Sequence, residues 1–162
     1  MFFSLFSQSP ASARDHKDMN EIFANLYIGN QRASESYGSL FDMVVNCTPD
    51  VPFAIPPGNP GVRVRVNIDD HPSRNSYMLH IARTSGVLEK MHEMLERGKT
   101  VLVHCHAGMQ RSCAIVAFYL VKYYNLTLKD AMALIQEQRP VAFYGHATFL
   151  PALQEYERTK NL

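Results

Sequence analysis

Two spacings alternate along the chain. Val62-Arg63-Val64-Arg65-Val66-Asn67-Ile68 switches strictly between apolar and polar side chains, the pattern of a strand with one wet face. Phe41 to Cys47 is apolar almost throughout and predicts a strand buried on both faces. Asn25-Leu26-Tyr27-Ile28-Gly29, closed by a glycine turn, and Val101-Leu102-Val103 read as two shorter strands. Elsewhere the spacing is helical: Leu79, Val87, Leu88, Met91 and Leu95 fit one helix over about 76–97, with Gly98 as its stop. Cys113 to Tyr124 is apolar nearly all round, as a core helix would be. Thr127 with Asp130 three residues later resembles a capping box, and the helix it opens must end near Arg139 because Pro140 follows. A last helix spans about 147–159. From Pro49 to Gly61, five prolines and two glycines leave only a loop. Strands alternating with helices predict the α/β class, with a mostly parallel central sheet and helices on both faces.

At 162 residues the chain has room for one domain. Residues 1 to about 18 read as a tail whose Phe2, Phe3 and Phe6 dock or fray, which leaves 19–162 as the folded domain. The opening apolar stretch lacks the basic n-region of a secretory signal. Sixteen Lys plus Arg against 15 Asp plus Glu leave a charge of +1, so binding of nucleic acid through phosphate neutralisation is not expected. The longest apolar run, Cys113 to Val121, is nine residues, whereas a membrane span needs about 20. Three cysteines, Cys47, Cys105 and Cys113, are an odd number in a chain too long to need disulfide staples. That favours a reducing compartment, the cytoplasm with the nucleus also open.

The chemistry concentrates in Val101-Leu102-Val103-His104-Cys105-His106-Ala107-Gly108-Met109-Gln110-Arg111-Ser112, a strand leading through a loop into the core helix. The backbone N–H groups of such a loop, here His106, Ala107, Gly108, Met109, Gln110 and Arg111, point inward, and the helix N-terminus adds partial positive charge. Together they bind a phosphate without a metal or other cofactor. Cys105 lies at the floor of this cradle, where the same field favours the nucleophilic thiolate. Arg111, six residues on, brings a planar fork suited to two phosphate oxygens during in-line attack. Gly108 lets the backbone turn towards the ligand without a Cβ in the way. Ser112 offers its hydroxyl to the sulfur, and His104 orients the loop rather than titrating.

This pattern of His-Cys, five residues, Arg and then Ser or Thr resembles the cysteine-dependent protein phosphatases, and within them a small, atypical dual-specificity phosphatase. Leu26-Tyr27-Ile28-Gly29-Asn30 and Val44-Val45-Asn46 are similar to the family's first two strands. Ala117-Phe118-Tyr119-Leu120 and Ala131 to Arg139-Pro140 are similar to the helices after the loop, so the likeness covers about residues 22–158. It implies hydrolysis of phosphotyrosine and phosphoserine or phosphothreonine in phosphorylated proteins. Cys105 would be the nucleophile, Arg111 the phosphate clamp and Ser112 the leaving-group aid, with an aspartate after the third strand as general acid. Asp69 and Asp70 both stand there, and Asp70, four residues after Val66, takes the family's usual place. Two positions depart from the pattern. His146 stands where the family commonly has an asparagine bracing the phosphate loop, three residues before Phe149, and is expected to retain some of that support. Gln110 replaces a smaller residue before the arginine, where it either orients the hydrolytic water or lines the rim.

Other readings of these residues are weaker. His104 and His106 flank a cysteine but lack further ligands at metal-site spacing, and the Asp69-Asp70 pair lacks the additional oxygens calcium needs. Cys113 reads as packing. Cys47 either packs or traps an oxidised Cys105 as a disulfide. Asn46-Cys47-Thr48 and Asn125-Leu126-Thr127 match a glycosylation pattern, but one falls in a buried strand and the other opens a helix. Two alternative functions share the fold. A phosphatase of RNA 5′ ends or phosphoinositides would carry basic loop residues where His106, Met109 and Gln110 stand, and a non-catalytic phosphoprotein-binding module would have lost the cysteine, arginine or acid.

Overall fold

In a computed structural model of the chain, residues 17–54, 58 and 60–162 are described; residues 1–16, and with them almost all of the predicted tail, lie outside these. Val101-Leu102-Val103-His104 forms the central strand β5 (Val101–His104), completely buried along its length. It lies between β2 (Leu26–Gly29) and β3 (Met43–Asn46), parallel to both. An antiparallel strand β1 (Met19–Phe23) and a parallel strand β4 (Val62–Arg65) close the edges, giving the order β1-β2-β5-β3-β4. The mostly parallel α/β sheet is therefore as expected. Strand β1 was not legible in advance because Ile22 is its one fully buried residue. The tight turn to β2 places Asn25 at a φ of 69°, a left-handed conformation that asparagine tolerates.

Helices cover the two faces unequally. The face bearing Tyr27, Val44 and Leu102 packs on Phe41, Met19 and Phe53 and on a short helix α1 (Gln31–Tyr37). Asn30 caps that helix, its Oδ1 accepting from Ala33 N–H at 2.9 Å. The opposite face carries Leu26, Ile28, Met43, Val45, Val101 and Val103 into the main core. Five helices contribute to it: α2 (Asn75–Thr84), α3 (Val87–Glu96), α4 (Arg111–Tyr123), α5 (Leu128–Gln138) and α6 (Leu150–Thr159). In α4 every residue from Arg111 to Val121 is buried, as its all-round apolar pattern implied. Thr127 caps α5, accepting from Asp130 N–H at 3.1 Å.

Three expectations need correction. The helix expected over 76–97 is two helices, because Gly86 takes a φ of 80° between them. That backbone breaks the ladder while the apolar spacing resumes on its far side. The alternating strand ends at Arg65 rather than Ile68, and its polar face is not simply wet. Arg63 donates to the carbonyls of Gly38 and Phe41. Arg65 donates to those of Thr48 and Val51, with the Phe53 ring 5.0 Å away. Arg65 thus fastens the 48–54 loop at the C-terminal end of β4, while Arg63 fastens the segment that leads into β3. The last helix begins at Leu150 rather than 147.

Candidate active site

In an open α/β sheet, the crevice beyond the carboxyl ends of the strands is where ligands bind, at the point where chain order reverses. Here that point lies at the end of β5, and the phosphate-loop sequence begins there. Cys105 follows His104, and the loop runs to Gln110 before α4 starts at Arg111. The Gln110 side chain does not cap α4, so the first N–H groups of the helix and its positive dipole end face the loop.

Cys105 is 2% exposed. Its Sγ accepts from the Gly108 N–H at 3.2 Å and lies 3.3 Å from the Ser112 hydroxyl, so two donors can share a charge on the sulfur. Gly108 has a φ of 69°, and a Cβ there would come within 2.6 Å of Arg139 Nη2 and 2.7 Å of the Gly29 carbonyl. Glycine is required on both counts. Arg111 is buried, with Nη1 donating to the Ile68 carbonyl at 3.0 Å. Its Nε is buried without a protein acceptor, which suits a group whose partner is a ligand oxygen.

The segment that carries the two candidate acids is tied to Arg111 through the Ile68 carbonyl. Asp69 and Asp70 are both exposed. Asp69 pairs with Arg74 at 3.8 Å, and its carbonyl accepts from His71 N–H. That engagement of Asp69 favours Asp70 as the group open to a substrate.

The histidines divide the supporting work. His104 is fully buried. Nδ1 lies 3.3 Å from the Cys105 carbonyl, and burial pushes the imidazole down to about 4, so the ring is neutral near pH 7. The His106 side chain turns outward, with Nδ1 3.0 Å from Gln31 Oε1 and Nε2 2.9 Å from Asp50 Oδ1. It thereby links the loop to α1 and to the loop after β3. The His146 ring contacts Thr148 Oγ1 at 3.1 Å. Bracing of the phosphate loop from this segment comes instead through Gln110, whose Nε2 donates to the His146 carbonyl at 2.5 Å and whose Oε1 accepts from Thr148 N–H at 3.1 Å. Gln110 is thus neither at the rim nor free to orient a water.

Cys47 continues β3 beside Cys105, and its N–H donates to the His104 carbonyl at 2.8 Å. Both cysteines belong to the same buried cluster, and burial pushes the Cys47 thiol well up. Cys113 is also buried, pushed up to about 12 by the same cause, with Sγ 3.5 Å from the Gly108 carbonyl. Asn46 is completely buried and bonded to Thr48 and to the Val51 carbonyl, which leaves no access for a glycan. Among the described residues, no group of three or more His, Cys, Asp or Glu side chains is arranged to hold a metal.

Sequence reasoning missed Arg139 as a site residue. It is fully buried, donates through Nε to the Gly108 carbonyl at 2.8 Å and through Nη2 to the Ala107 carbonyl at 3.4 Å, and reaches Asn20 Oδ1 and the Lys17 carbonyl. By binding these carbonyls it holds the turn from which the Gly108 N–H reaches the Cys105 sulfur. The one local sign was an arginine directly before the proline that ends α5.

A buried cysteine sulfur held by a loop N–H, followed by a clamped arginine at a helix start, is the arrangement of a cysteine-dependent phosphatase. Residues 26–159 match the family described as dual specificity phosphatase, catalytic domain. The chain belongs to that family and is a protein phosphatase. It is 32% identical over 145 residues to the 123R protein of Invertebrate iridescent virus 6, which carries the name of a tyrosine phosphatase; the match covers 87% of this chain and 93% of that one. It is 30% identical over 152 residues to dual specificity protein phosphatase 1 of Arabidopsis thaliana, covering 91% and 74%. The crystal structure of human DUSP28 superposes with a TM-score of 0.79 at 25% identity, covering 90% of this chain and 97% of that one.

Proposed function

We propose that this chain, through a catalytic domain of residues 19–162, removes phosphate from phosphotyrosine and from phosphoserine or phosphothreonine in proteins, by way of a phosphocysteine intermediate. The Cys105 thiolate attacks phosphorus in line with the ester oxygen. The S–P bond forms as the P–O bond breaks, and Asp70 delivers a proton to the departing oxygen. Charge spreading over the equatorial oxygens meets the loop N–H groups and the Arg111 guanidinium. In the second step the Asp70 carboxylate takes a proton from water as its oxygen attacks phosphorus, and the sulfur departs as thiolate, supported by Ser112 and Gly108. The observation that carries this reading is the buried Cys105 sulfur, held at 3.2 Å by a loop N–H and 3.3 Å from a hydroxyl, beside a buried arginine. Three free thiols favour work in the reducing cytoplasm or nucleus.

Two variants test it. Cys105→Ser is expected to keep the fold and bind phosphopeptides but to lose hydrolysis; turnover above a few per cent of wild type would sink the mechanism. Asp70→Asn is expected to slow phosphopeptides by about 10² to 10⁴, the usual contribution of a positioned acid, and to slow activated aryl phosphates much less because such oxides depart unaided. Asp69→Asn is expected to do little. The reverse assignment of the two effects would make Asp69 the acid.

A further inference from the structure

The segment from Val66 to His71 that carries Asp70 is neither helix nor strand, so no regular hydrogen-bond ladder holds it. A proton donor on such a segment is efficient only if the segment is fixed relative to the reacting oxygen. Two carbonyl anchors flank Asp70. Two residues before it, the Ile68 carbonyl accepts from Arg111 Nη1 at 3.0 Å. Two residues after it, the Pro72 carbonyl accepts from Asn75 Nδ2, also at 3.0 Å. The first anchor is made by the phosphate clamp itself.

The second anchor leads back to the same loop by a longer route. Asn75 Nδ2 also donates to the Thr148 carbonyl at 2.9 Å, and the Thr148 N–H donates to Gln110 Oε1 at 3.1 Å. Gln110 is a phosphate-loop residue, buried and turned towards the 144–148 segment. Asn75 Oδ1 meanwhile accepts from Ala152 N–H at 3.0 Å. That bond substitutes for a cap on α6, since Phe149 provides none and Pro151 has no N–H. The single amide of Asn75 therefore joins the acid segment, the 148 segment and the start of α6.

We propose that Asn75 is a positioning residue for the general acid: through Thr148 and Gln110 it holds the Asp70 segment in register with the phosphate loop. This rests on Asp70 being the acid. A merely structural role, capping α6, needs only the acceptor oxygen of Asn75, whereas positioning needs the two N–H donors, so the two roles separate chemically.

Asn75→Asp keeps the acceptor for Ala152 and removes both donors; Asn75→Ala removes everything. The readout is the ratio of turnover of a phosphoserine peptide to that of an activated aryl phosphate, with Asp70→Asn as reference, alongside thermal unfolding and vanadate inhibition to show an intact fold and loop. The ratio is expected to fall tenfold or more in both Asn75 variants, with a flattened alkaline limb in the phosphopeptide pH profile. Agreement between them shows that the introduced charge is not the cause. If both ratios stay within twofold of wild type while Asp70→Asn shows its full loss, Asn75 only caps the helix and the proposal is wrong. A fall in the Asp variant alone marks a charge effect and overturns it as well. If Asp70→Asn leaves the ratio unchanged, the acid assignment fails first and the positioning role fails with it.

Discussion

Replacing Arg139 by methionine removes a guanidinium that has no exposure to solvent and leaves a side chain of similar length. Three oxygens lose close donors: the Gly108 carbonyl at 2.8 Å, the Lys17 carbonyl at 2.9 Å and Asn20 Oδ1 at 2.7 Å. The bond to Ala107 at 3.4 Å is weak. A buried acceptor left without a donor costs about 1–3 kcal/mol; the Gly108 carbonyl is buried, whereas the Lys17 and Asn20 oxygens are not fully so and can turn to water, so the three together cost roughly 2–6 kcal/mol. The guanidinium's own desolvation, which holds it below its ordinary arginine value, is relieved by the substitution and offsets several kcal/mol at the upper end. The expected net loss is about 2–4 kcal/mol, since the change leaves acceptors unpaired but no uncompensated charge. At about 2–4 °C per kcal/mol for a chain of this size, Tm falls by roughly 4–16 °C. Activity should fall as well. The Gly108 and Ala107 carbonyls are what Arg139 holds outward, and a displacement of about 1 Å in such a loop costs on the order of 10² in kcat/KM. Arg139→Lys, which keeps the charge but not the fork, should fall between wild type and Arg139→Met. Equilibrium denaturation and steady-state kinetics on an aryl phosphate measure both effects. A methionine variant within 0.5 kcal/mol of wild type, or one that is destabilised yet turns over at the full rate, would refute the assignment of Arg139 as the loop's support.

His104 should give the fold an acid-sensitive limb. Its folded value of about 4 lies below the ordinary 6.5, so between those values the unfolded chain binds the extra proton. The stability it contributes is complete above about pH 6.5 and is lost as pH falls towards 4, amounting to about 3 kcal/mol at 1.36 kcal/mol per unit. Denaturation midpoints from pH 7.5 to 4.5 should fall more steeply in wild type than in His104→Gln, and parallel curves would rule this origin out. Cys47 should trap an oxidised nucleophile. Peroxide converts the Cys105 thiolate to a sulfenic acid, and the Cys47 thiol then forms a disulfide with loss of water. Mass spectrometry should find the Cys47–Cys105 bridge, with turnover restored by thiol reductant; a Cys105–Cys113 bridge, or irreversible sulfinic and sulfonic products only, would exclude Cys47.

What the amino-acid order determined by itself is what is contiguous along the chain. Cys105, Gly108, Arg111 and Ser112 lie within eight residues on one strand, loop and helix start, so local geometry alone brings the nucleophile, the close turn, the clamp and the hydroxyl together. The buried strands and the all-apolar helix α4 were legible for a similar reason: burial on every side writes an unbroken apolar run. Gly86 shows where local reading stops, because the apolar spacing continues across it and only the left-handed backbone reveals two helices. The supports of the site were decided by tertiary structure. Arg139 reaches Gly108 across 31 positions, His106 meets Asp50 across 56, and Asn75 meets Thr148 across 73. Each is a polar residue that reads as surface in isolation and acquires its role only when the fold presents a carbonyl or carboxylate to it; for Arg139 the fold also removes the surrounding water. Between Asp69 and Asp70, likewise, alternation along an irregular segment cannot choose; the contacts that bear on the choice, the Arg74 ion pair to Asp69 and the carbonyl anchors at Ile68 and Pro72, exist only in the folded chain.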